Sequence, residues 1–489
     1  MREELLINVT PREVRAALLE NGVLQEIFID REARRGIVGN VYQGRVSRVL
    51  PGMQAAFIDI GRERTAFLHA SDIARRVADE DSPEPSEPPN ISALVREGGQ
   101  IIVQVLKDPL GTKGARLTTH ITLPSRYMVL MPKGSGVGVS TRIDDDVERT
   151  RLRELTDRFA VDGNGGGYIV RTAAEGVGAE ALRGDMLYLQ KLWEVVREKA
   201  VTARPGELVF EELPLESRVV RDLIGAEMER IRVDNEDSFR RLKEFAETFT
   251  PDIAPMIEHY SANRPIFDVY GIDDELQRAL ERRVPLKSGG SLIFDQTEAM
   301  TTIDVNTGAY VGHRNMEETI FRTNLEAAQA IARQLRLRNL GGIIIIDFID
   351  MSNGEHRNQV VQALEKSLEA DHARTQISEV SVLGLVEMTR KRTRESLEHI
   401  LCQPCPTCEG RASIKTAETV CYEIYREVLR QSRQFDCKEM MVLAHQDVIE
   451  LLVDEESALV AELETITGKP IRLQTEAFYN PEQHDVVLM

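Results

Sequence analysis

The sequence predicts a multidomain α/β chain, part α+β, with a small five-stranded barrel ahead of a strand–helix–strand unit and a cysteine knuckle. Three observations predict it. The chain has 489 residues, too many for one compact core. Five short β-like runs separated by turn signals fall between Ile37 and Ile121. Beyond Ser288, a hairpin pattern, a long amphipathic stretch and an apolar run follow one another.

The bulk composition allows an enzyme. Hydrophobic residues make up 42% of the chain and charged residues 29%, as in soluble globular domains. A formal net charge of -19 excludes a uniformly positive surface, so any nucleic-acid site must be local. Met1 to Thr10 lacks a basic region followed by an apolar stretch, and no run approaches the ~18 apolar residues that span a bilayer. A cytoplasmic protein without a membrane span is expected.

Residues 37–121 carry the barrel. NVYQGRVSRVL, MQAAFIDIG and RTAFLHASDI alternate as strands, the acidic, proline-rich stretch Arg76 to Asn90 is expected to be a flexible insertion, and QIIVQVLK and ARLTTHI resume the pattern. That order fits an OB-fold barrel that binds oligonucleotides. Residues 122–214 form a second unit, with strand-like YMVLM and GYIVRTA, a glycine-rich loop from Gly163 to Gly167, and a helix showing Leu182, Met186, Leu189, Trp193 and Val196 at helical spacing. Residues 215–282 read as mostly helical, broken near Pro251 to Pro255 and at Pro265.

In residues 283–400, SLIFDQTEAMTTIDVNTG predicts a β-hairpin. Glu317 to Leu340 predicts a helix with Ile320, Ala327, Ile331 and Leu335 on one face, stopped by Gly341-Gly342; GIIIIDFID then reads as a buried strand. A right-handed crossover would make the MTTIDVN and IIIID strands parallel neighbours. Asp304 and Asp347, at the C-terminal ends of these strands, would then share a rim where open α/β sheets build their sites. Asn306 faces the same side as Asp304. Two carboxylates with no histidine set suit Mg²⁺, which keeps several waters and takes one or two protein carboxylates. A single aspartate taken blindly more often caps a strand or starts a turn; two in register shift that balance.

Other candidates are weaker. Phe57 and Phe67, on adjacent strands of the barrel, can stack bases, and Lys113 in the GTKG turn can meet phosphate. A phenylalanine in a small barrel is, by composition, more often core. Arg171 and Thr172 end the strand YIVRTA, where a guanidinium and a hydroxyl can clamp a phosphate, although a lone arginine is usually a surface residue. The basic run Thr389 to Ser396 fits phosphate contact and a solvated helix face equally.

CQPCPTCEG, within residues 401–415, carries the metal signal. A Cys-Pro-x-Cys knuckle presents two thiolates to Zn²⁺, and a closed structural site wants four, so a symmetry mate could supply the rest. Cys421 and Cys437 read as lone buried thiols. Residues 416–489 mix helix and strand as a small α/β C-terminal domain.

The phrases REARRGIVGNVYQGRV, LPGMQAAFIDIG, QTEAMTTIDVNTG, RQLRLRNLGGIIIIDFIDM and CPTCEG resemble the ribonuclease E/G family over nearly the whole chain, and the short stretch after Cys408 resembles its shorter members. The resemblance implies a ribonuclease H-like fold split between residues 1–36 and 215–282, interrupted by the OB-fold barrel and a 5′-sensor at 122–214. A DNase I-like catalytic domain at 283–400, a zinc link at 401–415 and the C-terminal domain would follow. It implies Asp304 and Asp347 as Mg²⁺ ligands with Asn306 beside them, and Cys405 and Cys408 as a Zn²⁺ pair shared between two chains, with Cys402 an open alternative. Phe57, Phe67 and Lys113 become RNA contacts. Arg171, Thr172, Val129 and Arg374 become the 5′-phosphate sensor, in which Ser125 replaces a glycine found in some members. The implied activity is Mg²⁺-dependent endonucleolytic cleavage of single-stranded, A/U-rich RNA. It is stimulated by a 5′-monophosphate, leaves 5′-phosphate and 3′-hydroxyl ends, and serves ribosomal RNA 5′-end maturation and mRNA decay, in a homodimer or higher oligomer.

Overall fold

The structure, a computed structural model, describes residues 2–32, 36–74, 90–109, 114–143, 145–161, 166–224, 227–308, 316–392 and 394–489. It divides into two compact units, Met1–Ile400 and Leu401–Met489. No helix among the described residues is long and apolar enough to cross a membrane.

The larger unit opens with the antiparallel strands Glu3–Val9, Glu13–Glu20 and Val23–Arg31. Two distant strands, Met228–Val233 and Ile257–His259, extend this sheet in parallel on the Glu3–Val9 side. The expectation that residues 215–282 are mostly helical is therefore only partly met. MERIRV and IEH are too short to announce a strand by alternation, and they form because Ile231 and Val233 complete a core with Leu5, Ile7 and Leu18. Helices Leu215–Leu223 and Glu236–Phe249 cover that core.

In the barrel, strands Val41–Leu50, Ala55–Asp59, Ala66–His69, Gln100–Lys107 and Arg116–Thr118 fall on the five expected runs. The first strand pairs with both the second and the fourth, which closes the sheet on itself and removes its edges. Val46, Ile58, Leu68, Val103 and Leu117 fill the interior. Gly44 is required there, because a Cβ would lie 2.5 Å from the Ile58 side chain. A further strand, Leu208–Phe210, adds to the Val41–Tyr42 end and has no clear sequence signal. Lys113 and nearly all of the acidic insertion lie outside the described residues.

Residues 122–214 form a four-stranded sheet of Leu123–Pro124, Met128–Met131, Val137–Val139 and Gly167–Val170. Helix Ala179–Thr202 packs Leu182, Met186, Leu189 and Val196 into its core as expected, with Trp193 partly buried at the margin. Helix Asp146–Val161 was not expected, because only a narrow apolar stripe around Leu152 faces inward.

The last sheet of this unit runs in the order Arg283–Pro285, Ser291–Gln296, Met300–Asn306, Gly342–Asp347, Leu385–Lys391, Arg374–Ile377. Helices Met316–Leu337 and Gly354–Leu368 pack on one face through Ala327, Ile331, Leu335, Val360 and Leu364. The strand GIIIID is consequently buried on one side only: Ile344 and Ile346 are in the core, whereas Ile343 is 47% exposed. The first of these helices ends earlier than expected, and its stop is Asn339, whose left-handed φ of 49° turns the chain, rather than Gly341.

The smaller unit is a three-stranded sheet, Ile471–Thr475, Met440–Ala444 and His484–Leu488, against helices Ala417–Gln434, Gln446–Val453 and Ser457–Thr467. Cys421 is buried in this core; Cys437 is only partly buried, with the Lys469 ammonium 3.5 Å from its sulfur.

Candidate active site

The hairpin and crossover bring the two aspartates together. Strands Met300–Asn306 and Gly342–Asp347 are parallel neighbours, and Asp304 pairs in register with Asp347. Such strands run about 4.8 Å apart, so the two carboxyl groups stand side by side on the same face. That face is the open one: Asp304, Asn306 and Asp347 are exposed, while Ile303, Val305 and Ile346 point into the helices.

Local chemistry fixes the rim. Gly290 lets the hairpin approach the carbonyl of Asn306, which a Cβ would meet at 2.5 Å. Asn306 Nδ2 donates to Asp304 Oδ2 at 2.6 Å and so orients that carboxylate. Behind the Asp347 strand, the buried Asn324 donates to the Ile349 carbonyl at 2.8 Å and accepts from its amide at 3.1 Å, pinning the chain just past the rim. A polar residue inside an apolar helix face was the available signal for Asn324. Partial burial, followed by the negative charges of Asp304 and Asp350, pushes the Asp347 carboxyl above its usual range. Two acids crowded in this way, with no cation partner among the described residues, fit a hard divalent ion. No group of three or more His, Cys, Asp or Glu able to hold a metal occurs among the described residues.

The barrel aromatics point outward. Phe57 and Phe67 are cross-strand partners with ring centroids 6.3 Å apart, edge to face, and both are partly exposed while Ala56, Ile58, Ala66 and Leu68 point inward. The compositional expectation that they belong to the core is thus overturned by strand alternation. His69 lies next along, 6.4 Å from the Phe67 ring, and Arg48 and Arg116 are the register partners of Phe57 and Phe67 on the outer strands.

Arg171 is no ordinary surface arginine. Its Nη1 donates to the Ser125 carbonyl at 2.6 Å and to Asp222 at 2.8 Å. Asp222 also takes the buried Arg221 at 2.8 Å. Burial works against its charge, yet the two guanidinium groups hold the Asp222 carboxyl below its usual range. Ser125 is buried, with its hydroxyl 2.5 Å from Asp185. Val129 sits opposite Ile169. Thr172 Oγ1 is 3.1 Å from Ser140 Oγ, which accepts from the Arg142 amide at 3.3 Å. The Arg142 side chain donates to the carbonyls of Asp371, His372 and Ala373 at 3.1, 3.0 and 3.3 Å, immediately before Arg374. Arg142 thus links Thr172 to the Arg374 strand, a role that no sequence pattern marked.

In the smaller unit, Cys405 and Cys408 flank a tight turn in which the Glu409 amide donates to the Cys405 carbonyl at 2.8 Å. Backbone amides of Cys408 and then Thr407 lower the Cys405 thiol from its ordinary value, favouring thiolate. Cys402 is exposed and completes no three-residue metal group among the described residues.

Residues 122–393 match the Ribonuclease E/G family, and residues 37–118 match the S1 RNA binding domain. The chain is 56% identical over 492 aligned residues to Ribonuclease G of Escherichia coli (strain K12), covering all of both chains. Ribonuclease G of Haemophilus influenzae is 55% identical over 489 residues, 99% of each chain. Ribonuclease E of Escherichia coli (strain K12) is 37% identical over 467 residues, covering 95% of this chain and 44% of that protein.

Proposed function

The chain belongs to the ribonuclease E/G family and is an endoribonuclease, and from that premise we propose that it cuts within single-stranded RNA at Asp304 and Asp347. The registered pair of carboxylates is the observation that carries the reading.

Asp304 and Asp347 would hold Mg²⁺, which when bound would supply positive charge for the phosphoryl oxygens and for an attacking water. Asn306 keeps the Asp304 carboxylate turned toward the open face. In the proposed hydrolysis the oxygen of water joins phosphorus, the bond from phosphorus to O3′ breaks and a proton from the water ends on O3′, which gives a 3′-hydroxyl and a 5′-phosphate. Phe57 and Phe67 offer rings on which unpaired bases stack, which favours single strands, with Lys113 as a further contact in this reading. Preference for A/U-rich segments fits strands that stay unpaired.

A 5′-monophosphate would be read by Arg171, Thr172, Val129 and Arg374. Support comes from the chain of contacts through Ser140 and Arg142 that joins Thr172 to the turn before Arg374. In domain terms, residues 1–36 and 215–282 would be the ribonuclease H-like part, 37–121 the OB-fold barrel, 122–214 the sensor, 283–400 the DNase I-like catalytic part, 401–415 the zinc link and 416–489 the terminal domain. Cys405 and Cys408 supply two of the four ligands that a structural Zn²⁺ wants, so the ion would be shared by two chains. Maturation of ribosomal RNA 5′ ends and mRNA decay in the cytoplasm are the proposed tasks.

Asp304→Asn tests the core of this reading. Cleavage of a single-stranded oligonucleotide with Mg²⁺ should vanish while RNA affinity stays within twofold or so of wild type. Normal cutting by that variant would refute it.

A further inference from the structure

The basic run Thr389 to Ser396 begins as a strand end, its described residues are not helical, and its cations have separate fates. Arg390 is buried, with its guanidinium on Asp371 at 2.6 and 2.9 Å and on the Leu340 carbonyl at 2.8 Å. Arg394 lies over the Phe28 ring, 3.7 Å from its centroid. These two hold the fold together.

Lys391 does not. It is exposed, and its register partner across the antiparallel pair is Arg374, also exposed. No hydrogen bond or ion pair engages either side chain among the described residues, and like charges placed directly opposite on neighbouring strands repel. The fold nevertheless enforces the pairing. The Asp371–Arg390 ion pair is buried between the same two segments, and Arg142 grips the three carbonyls that precede Arg374. Strand alternation puts Lys391 on the face that carries Asp304 and Asp347, since Leu385 pairs with Asp347 and lies an even number of residues away. The separation along the strand is about 20 Å. Gln376 and Thr389, the next exposed pair on that face, add polar groups without adding negative charge.

Two unneutralised cations held against each other on the face of the carboxylate pair call for an anion. We propose that Lys391 and Arg374 together form a binding site for an RNA phosphate, fixed at a set distance from the scissile bond. This rests on the reading of the chain as an enzyme acting on RNA, and it singles out Lys391 within a basic run whose sequence fitted phosphate contact and a solvated face equally. The phosphate is either internal to the strand or the 5′-terminal group; the chemistry of recognition is the same.

The test measures binding of the full chain, in chelator so that no cleavage occurs, to two single-stranded RNA oligonucleotides of one sequence. One carries a 5′-monophosphate and the other a 5′-hydroxyl, and affinity is followed against salt. Lys391→Ala should weaken binding about fivefold to tenfold and reduce the log–log salt slope by about 0.7, the signature of one lost phosphate contact on a single strand. Lys391→Arg should restore both. An equal loss on both oligonucleotides identifies an internal phosphate, and a loss confined to the monophosphorylated one identifies the terminal group. The thermal midpoint of Lys391→Ala should not fall, because the substitution relieves repulsion. Unchanged affinity and slope on both oligonucleotides, in a protein that still binds and cuts RNA, overturns the phosphate site alone. A wild-type chain without RNA affinity overturns the RNA reading together with it.

Discussion

The open face of the sheet around Asp304 and the interior around Asp222 treat charge in opposite ways. At Asp222 a carboxylate is met by two arginines, one of them buried, and its acidity is strengthened. At Asp347 the neighbours are more carboxylates, and its acidity is weakened. The first arrangement is complete as it stands and serves the fold. The second has no positive charge beside it among the described residues, and the proposed divalent ion would supply it. The Arg374–Lys391 pair repeats the lesson with the sign reversed.

Substitutions can break this contrast. The largest expected effect is on the open face: Asp347→Asn should lower cleavage by 10³-fold or more, about 4 kcal/mol of transition-state stabilisation, as should Asp304→Asn. The metal-free protein should not suffer, and Asp347→Asn should raise its thermal midpoint at neutral pH by about 1–2 °C, since the removed charge was repelled and partly screened. A fall of several degrees would show that the carboxylate is structural.

Next comes Asp222→Asn. The substitution takes one of two carboxylates from the buried Arg221, which keeps Glu212 at 2.7 Å, and the loss of stability should be about 1–3 kcal/mol by denaturant unfolding. The pH dependence separates the two sites further. Asp222 has a lowered folded-state pKa, so its stabilisation is present above the unfolded carboxylate value and is lost as pH falls through the folded one. Asp347 has a raised pKa, so its contribution favours folding below the unfolded value and disappears as pH rises through the folded one. The wild-type-minus-variant stability should therefore slope in opposite directions for Asp222→Asn and Asp347→Asn across the acid range. Parallel slopes would erase the distinction.

Smaller effects sharpen it. Phe57→Ala or Phe67→Ala should cost about 1–3 kcal/mol of single-stranded RNA affinity with little loss of stability, because the rings stand outside the barrel core. Arg171→Ala should remove the preference for 5′-monophosphate over 5′-hydroxyl substrates, a ratio read directly from paired cleavage rates. A preserved ratio would confine Arg171 to its contacts with Ser125 and Asp222. Cys405→Ser with Cys408→Ser should lose Zn²⁺ and the dimer together, and a zinc-replete monomer would contradict the shared site.

The parts of the fold written in local periodicity were legible in the sequence. The barrel runs and the helix bearing Ala327, Ile331 and Leu335 follow from patterns within a few residues of each other, and the handedness of the strand–helix–strand crossover then sets Asp304 beside Asp347. Features created by distant pairing were not. Met228–Val233 becomes a strand only because Glu3–Val9 offers an edge, and Arg171 owes its restraint to Asp222, 51 residues away in sequence. The outward aim of Phe57 and Phe67 depends on which face of each strand meets the barrel interior, which composition cannot decide. For the same reason Lys391 is indistinguishable from Arg390 in the sequence, although one is exposed and the other holds a buried ion pair.

The most direct measurement is divalent-ion binding itself. Titration of the chain with Mn²⁺ as a spectroscopic stand-in for Mg²⁺ should show, in the wild type, a site that Mg²⁺ displaces and that single-stranded RNA tightens. Asp304→Asn and Asp347→Asn should each lose that site while keeping the fold. Retention of the site at wild-type affinity in both variants would contradict the account.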